Sequence, residues 1–180
     1  MELGEGLKKE EIRKLLEEIG KCLGFDPIEE VDTGFSRVDL VWFDKKIPKE
    51  IFKAPKKIQQ SFFLPIVGFE IEEKSYVRKV IRGDIDSLNS LAPQVGCIVV
   101  SRKIATFTRY REELKKTNSE KEAMEIAERR WVTDLETFKR YSQANYPFRR
   151  IVVLTDEDVL MIYEKLKSLL DSEEKVYQAK

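Results

Sequence analysis

Apolar residues recur along this chain of 180 residues with two different periods, and the switches between them outline its elements. Over residues 7–23, Ile12, Leu15, Leu16, Ile19 and Leu23 repeat at helical spacing and predict an amphipathic helix. Gly24 supplies a stop, and Asp26-Pro27 a break. A short strand is expected at 28–31, followed by a turn at Asp32-Thr33-Gly34. Residues 38–43 and 62–72 are rich in β-formers and predict two strong strands. Between them, residues 44–61 form a lysine-studded insertion with two prolines.

A helix is predicted over 76–91, with Val77, Val80, Ile81, Ile85, Leu88 and Leu91 on its stripe and Gly83 inside it. The runs at 95–101 (VGCIVVS) and 150–154 (RIVVL) are continuously apolar, as in strands covered on both faces. A long charged helical stretch spans 110–142, with a break near Thr117-Asn118-Ser119. Its stripe of Met124, Ala127, Trp131, Leu135 and Phe138 predicts packing on the chain's own sheet, with a dimer interface as the alternative. Thr155-Asp156-Glu157-Asp158 caps a last helix over 159–170. The order is helix, three-stranded meander, helix, strand, helix, strand, helix. It predicts an α/β fold with a mixed sheet, antiparallel first and then joined by crossovers, in a single domain over 1–180.

Charge changes this picture locally. The chain carries 33 basic and 33 acidic residues and no histidine. Residues 35–111 hold 15 basic and 8 acidic residues, against 5 and 10 in residues 1–34. A basic middle suits a polyanionic partner; a solvated, salt-bridged surface is the alternative. Charged residues make up 37%, in the Lys/Glu-rich manner of hyperthermophile proteins. Cys22 and Cys97 have no CxxC spacing, which predicts no zinc site or disulfide scaffold and suits a reducing cytoplasm. No apolar run reaches membrane-spanning length and the N-terminus does not read as a signal peptide, so no membrane partner is expected.

The candidate chemistry lies on the two strong strands. Acidic residues are depleted in strands, yet Arg37-Val38-Asp39-Leu40-Val41-Trp42 carries Asp39, and Pro65-Ile66-Val67-Gly68-Phe69-Glu70-Ile71-Glu72 carries Glu70 and Glu72. Alternation puts Glu70 and Glu72 on one face, and Asp39 on a face with Val41. If the strands pair, three carboxylates meet, repel one another and raise at least one pKa. A hard cation such as Mg²⁺ relieves that repulsion with oxygen ligands, whereas zinc or copper would recruit His or Cys. The absence of histidine excludes Ser/His/Asp and Cys/His catalysis. The alternative is a Glu-x-Glu on a half-exposed strand with no role in chemistry.

These residues, in this order of elements, resemble the PD-(D/E)xK superfamily of restriction-endonuclease-like nucleases and Holliday-junction resolvases, over roughly residues 7–102. The resemblance implies a core of a helix, a three-stranded meander, a helix and a further strand, with residues 103–180 as an elaboration. RVDLVW offers Asp39 for the family's aspartate, and GFEIEEK offers Glu70 for the acidic member of its (D/E)-x-K. Two departures stand out: Glu72 occupies the lysine position, and Val38 rather than proline precedes Asp39.

The resemblance implies a nuclease that hydrolyses phosphodiester bonds with Mg²⁺, or Mn²⁺, and a role in DNA repair, recombination or restriction. Asp39, Glu70 and the Ile71 backbone carbonyl would hold the metal, with Glu72 as a further ligand and Glu18 assisting from the first helix. Glu72 would orient or deprotonate the attacking water, or Lys74 would supply the missing ammonium. The alternative is a nuclease-fold module without catalysis that binds nucleic acid or a protein partner. Lys45, Lys46, Lys49, Lys53, Lys56 and Lys57 in the insertion, and Arg78, Lys79 and Arg82 on the next helix, are the candidate phosphate contacts. DNA is the expected polymer, and a homodimer is compatible with cutting both strands of a duplex.

Overall fold

Helix α1 (Lys9–Cys22) forms where the first apolar stripe predicts it and buries Ile12, Leu16 and Ile19. The backbone here is a computed structural model that describes residues 7–34, 36–44, 65–72, 78–91, 93–144 and 150–178. The Lys8 N–H donates to the Glu11 carboxylate at 2.7 Å, and Glu10 and Glu11 offset the positive end of the helix dipole. Gly24, at φ +87°, turns the chain out of the helix in the left-handed region.

Strand β1 (Phe25–Asp32) pairs antiparallel with β2 (Arg37–Asp44), from Phe25↔Asp44 to Asp32↔Arg37. Asp26 and Pro27, expected as a break, lie inside β1. It is an edge strand, where a residue without an N–H is tolerated. β2 pairs antiparallel with β3 (Pro65–Glu72). Helix α2 (Arg78–Leu91) then leads to β4 (Val95–Val100), parallel to β3. Helices α3 (Arg102–Leu114) and α4 (Glu120–Ala144) lead to β5 (Arg150–Thr155), parallel to β4, and α5 (Asp156–Gln178) follows. The sheet is five-stranded, mixed and open, in the order β1-β2-β3-β4-β5. The expected α/β class, meander and crossovers are all present.

α3 starts at Arg102 rather than near residue 110. Its first turn is anchored from outside the helix, since the Arg102 N–H donates to Asp156 Oδ1 at 3.0 Å. The break expected near residue 118 is real, and the Ser119 hydroxyl receives the Glu122 N–H at 3.3 Å to start α4. At α5 the expected cap is also formed: Asp158 Oδ2 receives the Thr155 N–H at 2.8 Å, and the Thr155 hydroxyl receives the Asp158 N–H at 3.1 Å.

The core has two layers, one on each face of the sheet. Ile12, Leu16 and Ile19 of α1 and Val159 of α5 pack on Leu40, Trp42, Phe69, Ile71, Cys97 and Val99. On the other face Ile85 and Leu88 of α2, Ala105 of α3 and Trp131 of α4 pack on Val41, Phe43, Ile98 and Val100. Leu135 packs against this second cluster, so the α4 stripe covers the chain's own sheet. Trp42 stacks on Phe25 with ring centroids 5.6 Å apart. It also sits so close to α1 that a Cβ at Gly20 would stand 2.7 Å from its Nε1, which is why a glycine is needed there. Cys97 is buried, its thiol pushed up to about 12 by burial, whereas Cys22 is exposed. No helix among the described residues is long and apolar enough to cross a membrane.

Candidate functional site

β3 is the strand where the sheet changes sense, antiparallel to β2 on one side and parallel to β4 on the other. The Ser101 N–H donates to the Glu72 carbonyl at 3.2 Å, so the backbone groups of Glu70 and Glu72 point toward β4. Those of Phe69 and Ile71 therefore point toward β2. The β2–β3 register runs as far as Leu40↔Phe69, and Asp39 and Glu70 are the next residues out. At that point the Ile71 N–H is received by the side chain of Asp39, at 2.7 Å to Oδ2. A carboxylate thus takes a ladder donor, and the Ile71 carbonyl points to the same edge as its N–H.

The strand is irregular at this residue. Val38 and Val41, three positions apart, both join the cluster under α2, while Leu40 joins the one under α1. Alternation slips by one between them, at Asp39. On the neighbouring strand Glu30, between the residues that pair with Leu40 and Val38, adopts φ +50°. A non-glycine residue in the left-handed region is strained and persists where its surroundings hold it. Arg13 of α1 lies beside this strand, with Nη1 3.0 Å from Glu29 and 3.9 Å from Glu30. Asp39 consequently stands at the parting of β2 and β3, within reach of groups from both helical layers.

From the α1 layer comes Lys9, whose Nζ lies 2.6 Å from Asp39 Oδ1. The pair is part-buried, with side chains 31% and 13% exposed. Burial opposes the charge on Lys9, but the hydrogen bond to Asp39 and the charges of Asp39, Glu70 and Glu72 raise its pKa overall.

From the α2 layer comes Asp84, a residue that the spacing of motifs did not single out. Its Oδ2 is buried without a hydrogen-bond partner. Burial, with the charges of Glu72 and Asp39, pushes its carboxyl up to about 8. Glu70, 7% exposed, is pushed up to about 9, first by burial and then by Asp39 and Asp84. Lys9 acts in the opposite sense on both. Mutual repulsion among carboxylates is thus present, as expected for Asp39, Glu70 and Glu72, and Asp84 shares in it.

The other candidates fall elsewhere. Glu18 accepts a hydrogen bond from the Tyr163 hydroxyl at 2.7 Å, joining α1 to α5. It is nine residues from Lys9, roughly 13 Å along a helix axis. The α1 residue at the carboxylates is therefore Lys9 and not Glu18. Arg82 is exposed on α2, 4.0 Å from Asp86, and Arg78 and Lys79 lie in the first turn of the same helix. Lys45, Lys46, Lys49, Lys53, Lys56, Lys57 and Lys74 lie outside the described residues. A signal for Asp84 does exist in the sequence: it sits four residues before Leu88 and three after Ile81, a stripe position filled by a carboxylate.

The donors fit a hard cation in kind, since they are oxygens only and include one buried oxygen without a partner. They are not drawn together as a finished ligand set. Among the described residues no three His, Cys, Asp or Glu side chains are grouped closely enough to hold a metal ion. Asp39 is held by an ammonium instead. No family model, curated protein or solved structure matches the chain.

Proposed function

We propose that this chain is a divalent-metal-dependent nuclease of the restriction-endonuclease-like kind, hydrolysing phosphodiester bonds in nucleic acid, with DNA as the expected polymer. The observation that carries the reading is the charge repulsion among Asp39, Glu70, Glu72 and Asp84 near the parting of β2 and β3, with Glu70 and Asp84 both pushed far above the usual carboxylate range. Carboxylates whose pKa values are raised by burial and by one another are candidates for functional sites. Glu70 and Glu72 lie toward the carboxyl end of β3, the strand at which the sheet passes from antiparallel to parallel pairing.

Asp39 and Glu70, with Asp84 and the Ile71 carbonyl, are the groups to hold Mg²⁺ or Mn²⁺. A bound ion of this kind neutralises phosphate charge and acidifies a water. The Ile71 N–H fixes the orientation of the Asp39 carboxylate. Glu72, half-buried beyond Glu70, is the group to take the proton leaving the attacking water. Hydrolysis forms a bond from the water oxygen to phosphorus and breaks one ester bond, the leaving oxygen departing as an alcohol once protonated.

A second reading, a module of the same fold that binds nucleic acid or a protein without cutting, is favoured by Glu72 in the lysine position and by the ion pair on Asp39. Cleavage separates the two. Single- and double-stranded DNA and RNA incubated with Mg²⁺ or Mn²⁺ are expected to be cut by the wild type and not by Glu70→Ala. Cutting unchanged in that variant points to a contaminant, and intact substrates throughout favour the binding module.

A further inference from the structure

Lys9 occupies a place where a lysine works against its own helix. It is the first residue of α1, next to Lys8, at the positive end of the helix dipole, where acidic residues are favoured. What offsets this is tertiary: Asp39 Oδ1 lies 2.6 Å away, in a pair more buried than ordinary surface ion pairs. The charge of Lys9 also acts on Glu70 and Asp84, so one ammonium serves a group of carboxylates drawn from β2, β3 and α2. A local rule broken in favour of a distant contact is a mark of function rather than of folding.

We propose that Lys9 is the built-in counter-cation of this site, an ammonium that holds Asp39 in the metal-free chain and that a divalent ion must displace to bind. The proposal rests on the metal-site reading above. Asp39 has two carboxylate oxygens: Oδ2 accepts from the Ile71 N–H and Oδ1 faces Lys9, and the side chain also shares a hydrogen bond with Glu70. A metal that takes Oδ1 of Asp39 therefore competes directly with the ammonium. Once displaced, Lys9 keeps its charge on a flexible four-carbon stem beside the site, where an anionic phosphate is its natural partner. Lys9 would then restrain metal binding in the free protein and contribute positive charge to the bound phosphate.

The test compares wild type, Lys9→Met and Lys9→Arg by calorimetric titration with Mn²⁺ and by cleavage of DNA at saturating Mn²⁺, after thermal melts confirm folding. Lys9→Met is expected to bind Mn²⁺ about tenfold more tightly than wild type, since the competitor is gone. It is also expected to cleave about a hundredfold more slowly, since a charge that stabilises the phosphate is gone. Lys9→Arg keeps a charge and should stay near wild type in affinity. A purely structural ion pair would not tighten metal binding when broken, so equal or weaker Mn²⁺ binding by Lys9→Met overturns the proposal. Tighter binding with undiminished cleavage overturns the phosphate role. Mn²⁺ binding without cleavage in the wild type overturns the nuclease reading, leaving the affinity ratio to decide the role of Lys9. If neither wild type nor Lys9→Met binds Mn²⁺, the metal site and this proposal fall together.

Discussion

Glu70→Gln is expected to make the metal-free chain more stable at pH 8 and to remove the metal-dependent cleavage proposed above. The two effects share one cause. Glu70 is 7% exposed and its carboxyl is pushed up to about 9 by burial and by Asp39 and Asp84. Below the unfolded value near 4.5 the proton is bound in both states, and the contribution of Glu70 to stability is fully present. Between there and about 9 only the folded chain holds the proton, so stability falls as pH rises. The slope approaches about 1.4 kcal/mol per pH unit for such a group.

Asp84, pushed up to about 8, adds a second contribution of the same sign. Glutamine keeps the shape, cannot ionise, and should roughly halve the alkaline loss, read by urea denaturation between pH 5 and 9. Cleavage in the same variant should drop by about a thousandfold, because an amide is a poor substitute for a charged ligand of a hard cation. A variant that loses both stability and activity would mean that Glu70 is a structural carboxylate.

Asp39→Ala should remove cleavage as completely and, unlike Glu70→Gln, should destabilise the fold. Its side chain receives the Ile71 N–H at 2.7 Å and the Lys9 ammonium at 2.6 Å. Ile71 is 2% exposed, so little water is at hand to replace the lost acceptor. Leaving a part-buried donor without its partner costs about 1–3 kcal/mol. Asp39→Asn, which keeps an oxygen for the Ile71 N–H, should recover part of that stability without recovering activity. Equal stability of the alanine and asparagine variants would show that the hydrogen bond to Ile71 contributes nothing measurable.

The fold was legible wherever one local pattern decided an element. Continuous apolar runs marked β4 and β5, Thr155 with Asp158 marked the start of α5, and Gly24 marked the end of α1. The extent of β1 was hidden, because Asp26 and Pro27 disfavour a strand except at an edge, and the edge is a property of the whole sheet. The start of α3 was hidden for a similar reason: its first turn is tied down by Asp156, 54 residues away.

The candidate site divides in the same way. Asp39 and Glu70 stood out as acids within β-forming runs. Lys9 looked like any lysine on a charged helix, and only the parting of β2 and β3 gives it a partner 30 residues on. Asp84 broke an apolar stripe, a signal of the same kind as Asp39, but Gly83 beside it read as the irregularity instead. The slip of alternation at Asp39 is invisible locally, since Val38 and Val41 are equally good strand residues on either face.

The most direct test of the site is a crystal structure with Mn²⁺, read by anomalous scattering. The proposed metal site predicts one anomalous peak bounded by oxygens of Asp39 and Glu70, with Lys9 moved off Asp39. A map without a peak there, with the Lys9–Asp39 ion pair intact in saturating Mn²⁺, would contradict it.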